Sequence, residues 1–320
     1  MAKPRRFSGA RESRRSWWLI AGLIAFVVVD VLLVVLALRS TAPSPTKDGT
    51  PESLPLGPTT SAPSPRDTAD PEDRIVAVAP TRLLAALDAS TAWRATTGAC
   101  PDAEAEPELT TDGGASWKTT DITGATDVRA LQRMIVSSAE TASFIGLTGG
   151  DCTPQYVRTF VAGDDFAEYP DQLATSWYVA PAGASTTHTP AGDADAPCPS
   201  AVALAPLTVE RAAVLCADTS LHVTDDTGST WSPLTEAIGA IALTETADGY
   251  LVAAAGRDDC EGVQLSIVDA TGSRSDIGCV ESPLPAAELA ASIAIDWTPE
   301  SVWLWLDERL LISTDGGTTW

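Results

Sequence analysis

Three stretches of this chain spell one eight-residue pattern. Thr110-Thr111-Asp112-Gly113-Gly114-Ala115-Ser116-Trp117, Thr224-Asp225-Asp226-Thr227-Gly228-Ser229-Thr230-Trp231 and Ser313-Thr314-Asp315-Gly316-Gly317-Thr318-Thr319-Trp320 all read Ser/Thr-x-Asp-x-Gly-x-Ser/Thr-Trp. The physical sense is a β-hairpin turn. The Asp accepts hydrogen bonds from turn amides, and the Gly supplies a positive φ. The Trp then closes the hairpin by packing on the sheet beneath. A chain that repeats such a turn is built from repeated antiparallel units, so an all-β architecture is expected.

The motif resembles the Asp-box, or BNR, repeat of sialidases, sortilin-type receptors and photosystem II assembly factors of the Ycf48 type. That resemblance implies a β-propeller in which each motif turns the chain between the third and fourth strands of a blade, as a structural element. Thr110, Asp112, Gly114 and Trp117, Thr224, Asp226, Gly228 and Trp231, and Ser313, Asp315, Gly317 and Trp320 are therefore expected to shape turns, and the three Asp are not expected to act as catalytic acids.

Asp112 and Asp226 are 114 residues apart and Asp226 and Asp315 are 89 apart, each read as two blades of about 40–50 residues. Two degenerate units fill the gaps. One runs through Tyr156-Val157-Arg158-Thr159-Phe160-Val161 and the other through Val263-Gln264-Leu265-Ser266-Ile267-Val268, each followed by a turn. Residues 291–295, 301–306 and 309–313 read as the strands of the last unit. The count is five blades, with six or seven as alternatives. Because the last motif ends at Trp320, residues 74–79 (RIVAVA) are expected to complete the final blade and close the ring. Residues 181–199, poor in apolar side chains and containing His188, read as an insertion after the second blade or a functional loop.

The repeats occupy only residues 74–320. Ahead of them, residues 1–16 carry Lys3, Arg5, Arg6, Arg11, Arg14 and Arg15 against Glu12, and residues 17–38 are an apolar run of 22. That run spans roughly 33 Å as a helix, enough for a bilayer core and longer than the apolar part of a signal peptide. The nearest small-x-small site, Ser40-Thr41-Ala42, is followed by Pro43, which disfavours cleavage. An uncleaved single-pass anchor is expected, its basic end cytoplasmic and everything after it extracytoplasmic. Asp30 lies within the span, costly unless protonated or paired with a partner helix. Residues 39–73, rich in Pro, Ser and Thr, are expected to form a disordered stalk.

Charge and chemistry narrow the function classes. Net charge is -23, from 20 Lys+Arg against 43 Asp+Glu, so a phosphate backbone is repelled and nucleic acid is excluded as a partner. Cys100, Cys152, Cys198, Cys216, Cys260 and Cys279 all follow the apolar run, where disulfides are the default. Six Cys allow 15 connectivities. Sequential pairing, 100–152, 198–216 and 260–279, is the expectation because each pair closes a short segment within or between adjacent units. No Cys/His spacing suggests zinc, and no cofactor or metal site is expected. Catalytic patterns are equally lacking: there is no Gly-x-Ser-x-Gly, His-Glu-x-x-His or phosphate loop. The Arg-Ile-Pro signature of sialidases has only Arg74-Ile75-Val76 as its nearest approach, and Tyr156, Tyr169, Tyr178 and Tyr250 lack a Tyr/Glu setting. The reading is a binding propeller for a protein or envelope glycan, an accessory or assembly factor of a membrane or cell-wall complex. A sialidase-like glycoside hydrolase with divergent catalytic residues is the alternative.

Overall fold

The computed structural model describes residues 75–181, 183–269 and 271–320. The basic tail, the apolar run with Asp30 and the stalk lie outside the described residues. Among those described, no helix is long and apolar enough to cross a membrane.

The chain folds into six antiparallel sheets, each a blade of a β-propeller. Blade I is β1 (Arg82–Ala86), β2 (Ala92–Thr96), β3 (Glu108–Thr110) and β4 (Lys118–Thr119). After α1 (Ile122–Thr126), blade II is β5 (Val128–Val136), β6 (Ala142–Thr148), β7 (Pro154–Thr159) and β8 (Ala167–Glu168). After α2 (Pro170–Leu173), blade III has only β9 (Tyr178–Val179), β10 (Thr186–Thr189) and β11 (Gly192–Asp195). Blade IV is β12 (Ala201–Pro206), β13 (Ala212–Cys216), β14 (Leu221–Thr224) and β15 (Ser232–Pro233). Blade V is β16 (Ala240–Glu245), β17 (Gly249–Ala254), β18 (Gly262–Asp269) and β19 (Arg274–Glu281). Following α3 (Ala286–Ala291), blade VI is β20 (Ile293–Thr298), β21 (Ser301–Leu306) and β22 (Arg309–Ser313).

The sequence explains the layering. Second strands such as GYLVAA and SVWLWL are buried at every position, because a blade's middle is covered on both sides by its neighbours. Outermost strands such as KT and SP are short and exposed. Five apolar clusters weld the seams between blades I and II, III and IV, IV and V, V and VI, and VI and I.

No such cluster joins blades II and III among the described residues. Val157 packs toward blade I and Val179 toward blade IV, so alternation along each strand turns Tyr156 and Arg158, and Tyr178, toward the II–III seam. Arg158 lies over the rings of Tyr156, Phe160 and Tyr169, and Tyr178 stacks on His188 at 4.5 Å. Fewer buried apolar contacts predict lower local stability. Hydrogen exchange is therefore expected to be fastest, among the strands, in β9, β10 and β11; protection there equal to that of β17 or β21 would contradict this packing account.

Blade III corrects the count from five to six. Residues 181–199 are not an insertion: they supply β10 and β11, and His188 sits on β10 with its Nδ1 2.7 Å from Asp193 Oδ1. The 114 residues between the first two motif Asp thus cover three blade steps, not two. The step is short because blade III has only three short strands. Its innermost strand, β9, lines the channel and packs between the inner strands β5 and β12. The two degenerate units fall as expected on β7 and β18, and β21 and β22 match residues 301–306 and 309–313.

The expected ring closure is also corrected. Residues 75–80 form no strand, and blade VI keeps three. Instead Ala77 N donates to Ala217 O of blade IV at 3.0 Å, and Ile75 packs against the V–VI cluster. Side chains close the ring between blades VI and I. Trp303 Nε1 donates to Asp88 O at 3.0 Å, and Arg94 lies 4.0 Å from the Trp117 ring and 5.2 Å from that of Trp305.

All three disulfides form in the expected sequential pairing. Cys100–Cys152 ties the β2–β3 loop to the β6–β7 loop, Cys198–Cys216 ties the III–IV connection to the end of β13, and Cys260–Cys279 ties the β17–β18 loop to β19. In an antiparallel meander these positions share one face of the disc, and the turns between third and fourth strands share the other.

Candidate functional site

The three motif turns share one hydrogen-bond scheme. Gly114 N, Gly228 N and Gly317 N each donate to the hydroxyl that opens the motif, at 2.9, 2.9 and 2.8 Å. That hydroxyl donates to the motif Asp: Thr110 to Asp112, Thr224 to Asp226, Ser313 to Asp315. The carboxylate also accepts from the backbone N–H and hydroxyl of Ser116, Thr230 or Thr319. These bonds stabilise the ionised form. The Ser116 hydroxyl is the leading cause that holds Asp112 down to about 2, and the Thr230 and Thr319 hydroxyls likewise depress Asp226 and Asp315. A general acid needs the opposite shift.

Each motif Gly also meets the preceding blade. A Cβ on Gly114 would lie 2.6 Å from Leu310 of blade VI, on Gly228 3.1 Å from Thr189 of blade III, and on Gly317 2.8 Å from Ile277 of blade V. Gly163 approaches Thr120 and Trp93 of blade I in the same way, its N–H bonded to Thr159 Oγ1, which makes the degenerate blade II turn a fourth member with Val161 where the others have Asp. Trp117, Trp231 and Trp320 lie beside these glycines. The motif residues thus stand on separate blades as seam contacts and are not brought together.

What the ring does bring together lies in its central channel, a cavity of about 520 Å³ lined by the inner strands. Ala85, Ala130, Leu131, Leu204, Ala242, Leu243 and Ala294 make most of its wall apolar. Toward the disulfide face, Val78, Ala79 and Pro80 line it as residues 75–80 pass from blade IV to blade I. Toward the motif-turn face, strand register places Arg133, Thr244, Glu245 and Asp296.

The charges are unequal. Arg133 lies 3.6 Å from Glu245 Oε1. Asp296 has no cation within ion-pair distance among the described residues; its oxygens accept from Ala86 N at 2.6 Å and Thr244 Oγ1 at 2.8 Å. Burial, and secondarily the Glu245 charge, push Asp296 up to about 7. Two buried atoms on the lining, Gln132 Oε1 and Trp177 Nε1, have no hydrogen-bond partner. Among the described residues no group of three or more His, Cys, Asp or Glu is placed to hold a metal ion.

An acid whose folded pKa lies above its unfolded value of 3.8 favours folding at low pH; that advantage fades as pH rises from about 4 to about 7, and above 7 the ionised group carries the full desolvation penalty. Asp296→Asn is therefore expected to raise Tm at about pH 8 and change it little at about pH 4. A lower Tm than wild type at pH 8, measured by circular dichroism, would contradict a desolvation cost at Asp296.

Sequence reading missed these four residues. The signal was present as a charge inside each of three apolar runs, LQRMIV, IALTE and IAIDW, but only the ring decides which strands are innermost.

No protein-family profile matches the chain, and no curated protein matches it. Solved structures do resemble it in fold. A GH74 xyloglucanase from Xanthomonas campestris is 17% identical with a TM-score of 0.29, over 74% of this chain and 37% of that one. YCF48 bound to a D1 peptide is 18% identical with a TM-score of 0.27, over 77% and 82%. YCF48 from Cyanidioschyzon merolae is 13% identical with a TM-score of 0.26, over 78% and 85%. The chain spans little more than a third of the xyloglucanase. At these scores the likenesses concern the propeller fold alone.

Proposed function

We propose that this chain is a membrane-anchored, extracytoplasmic propeller of the Asp-box type that binds a segment of a partner protein or an envelope glycan through the motif-turn end of its channel. In this reading it serves as an accessory or assembly factor of a membrane or cell-wall complex. The observation that carries it is the channel: a cavity large enough for a ligand, with alanine and leucine along much of its wall and Arg133, Glu245 and Asp296 together at one end. The anchor and stalk would set the binding domain off the bilayer.

Affinity capture of the full-length protein from its native membrane tests this, with Ala203→Phe as a channel-filling comparison, since Ala203 lines the wall. A partner or glycan retained by wild type and lost from the variant supports the reading. Equal retention by both would place binding elsewhere.

A glycoside hydrolase is the second reading, favoured by one observation: Glu245 and Asp296 share the cavity, and Asp296 is pushed into the range of a general acid. Against it, both Asp296 oxygens already accept hydrogen bonds from the protein. Turnover of a glycoside panel that is abolished by Asp296→Asn or Glu245→Gln would establish it.

A further inference from the structure

The channel's charged end is one cation short. Among the described residues Arg133 is the one cation beside two acids: it pairs with Glu245 and its charge also acts on Asp296, whose direct hydrogen bonds come from the neutral donors Ala86 N and Thr244 Oγ1. Two carboxylates that share one cation in a partly closed cavity are left with an excess negative charge that a bound cation would offset. Much of the remaining wall is alanine and leucine, and it carries unpartnered polar atoms in Gln132 Oε1, an acceptor, and in Trp177 Nε1, a donor on a residue 3% exposed.

We propose that the channel binds an organic primary ammonium, its N–H₃⁺ held by Asp296 and Glu245, with the apolar stem of the ligand lying along the alanine- and leucine-lined wall. This rests on the reading of the channel as the binding site and names the chemistry that site selects. An ammonium has three donors, which suits the free acceptor capacity of the two carboxylates; Gln132 Oε1 is a further unpartnered acceptor on the lining. An acceptor oxygen elsewhere on the ligand would meet the Trp177 indole N–H. Lysine side chains, peptide amino termini and amino sugars all present this group.

The other charged and titratable groups around Asp296 do not alter the sign. Beside Glu245 stand Arg133 on β5 and Tyr250 on β17, and Tyr156 on β7 lies near Arg133. Arg82 is at the far end of β1 and Tyr178 lies on β9, while β12 contributes no titratable side chain. Protonation of Asp296 removes the unbalanced charge, so ammonium binding weakens as pH falls.

The test is isothermal titration calorimetry of the full-length chain with three probes of equal length: n-pentylammonium chloride, 1-pentanol and sodium pentanoate. The ammonium is expected to bind about tenfold more tightly than the alcohol near pH 8, the scale of a charge-assisted hydrogen bond, and the carboxylate most weakly. The advantage should shrink at about pH 5.5 and in Asp296→Asn, with Glu245→Gln as the second variant and circular dichroism reporting that each is folded. Alcohol binding as tight as ammonium would overturn the ammonium inference while leaving the channel as a site. No binding of any probe, with Ala203→Phe indistinguishable from wild type, would overturn both. If the ammonium result holds, N-acetyl-lysine amide and glucosamine separate a peptide source from a sugar source.

Discussion

Reduction of the three disulfides is expected to unfold the propeller near room temperature. Their loops close 52, 18 and 19 residues and do not overlap. Chain-entropy arguments assign about 4 kcal/mol to the longest and about 3 kcal/mol to each of the others. The total, of order 10 kcal/mol, is comparable with the whole stability of a typical domain, about 5–15 kcal/mol. The location adds to the effect. Cys100–Cys152 joins blades I and II and Cys198–Cys216 fastens the short blade III to blade IV, beside the seam that has no apolar cluster. Circular dichroism with and without reductant, with free thiols counted, measures this. An unchanged Tm after all six thiols are freed would show that packing alone holds the ring.

Trp303→Ala is expected to cost about 3–5 kcal/mol, the range for emptying a large buried aromatic site. Trp303 is fully buried in the VI–I cluster, and its indole N–H donates to Asp88 O in blade I and approaches Ser301 Oγ at 3.1 Å. Its loss leaves a cavity and an unpaired carbonyl at the place where the ring closes. The Arg94 bridge between Trp117 and Trp305 remains, so the variant should stay folded but unfold at lower urea. A midpoint within error of wild type would mean that closure depends on other contacts.

What the sequence made legible was chemistry that acts locally. A Ser/Thr, an Asp and a Gly at fixed spacing specify a turn whatever surrounds them, and all three motifs formed it. The apolar runs SVWLWL and RLLIS could be read to the residue because both faces of those strands meet other blades. Blade III was illegible because its strands, TTHT and GDAD, are short and polar, with seam contacts made by Thr, His and Tyr. With only three short strands the blade also shortened the repeat, and the spacing arithmetic then undercounted. Ring closure failed for a different reason. Residues 75–80 have strand-like composition, but Ala77 and Ile75 find apolar partners across the channel mouth, at blades IV and V. Arg133, Glu245 and Asp296 are far apart in sequence and meet only because six inner strands converge on one axis.

In the proposed function the protein meets its ligand in the channel, entered from the motif-turn face. Site-specific photocrosslinking in the native membrane tests it most directly. A photoreactive residue at Val136, which lines the channel at that end, is compared with one at Ile238, which is 67% exposed in the IV–V connection on the disulfide face. The account predicts an adduct from position 136 that is competed by n-pentylammonium, and none from position 238. An adduct from 238 alone would contradict it, whereas an adduct from 136 indifferent to the competitor would leave the channel as the site and overturn the ammonium inference alone.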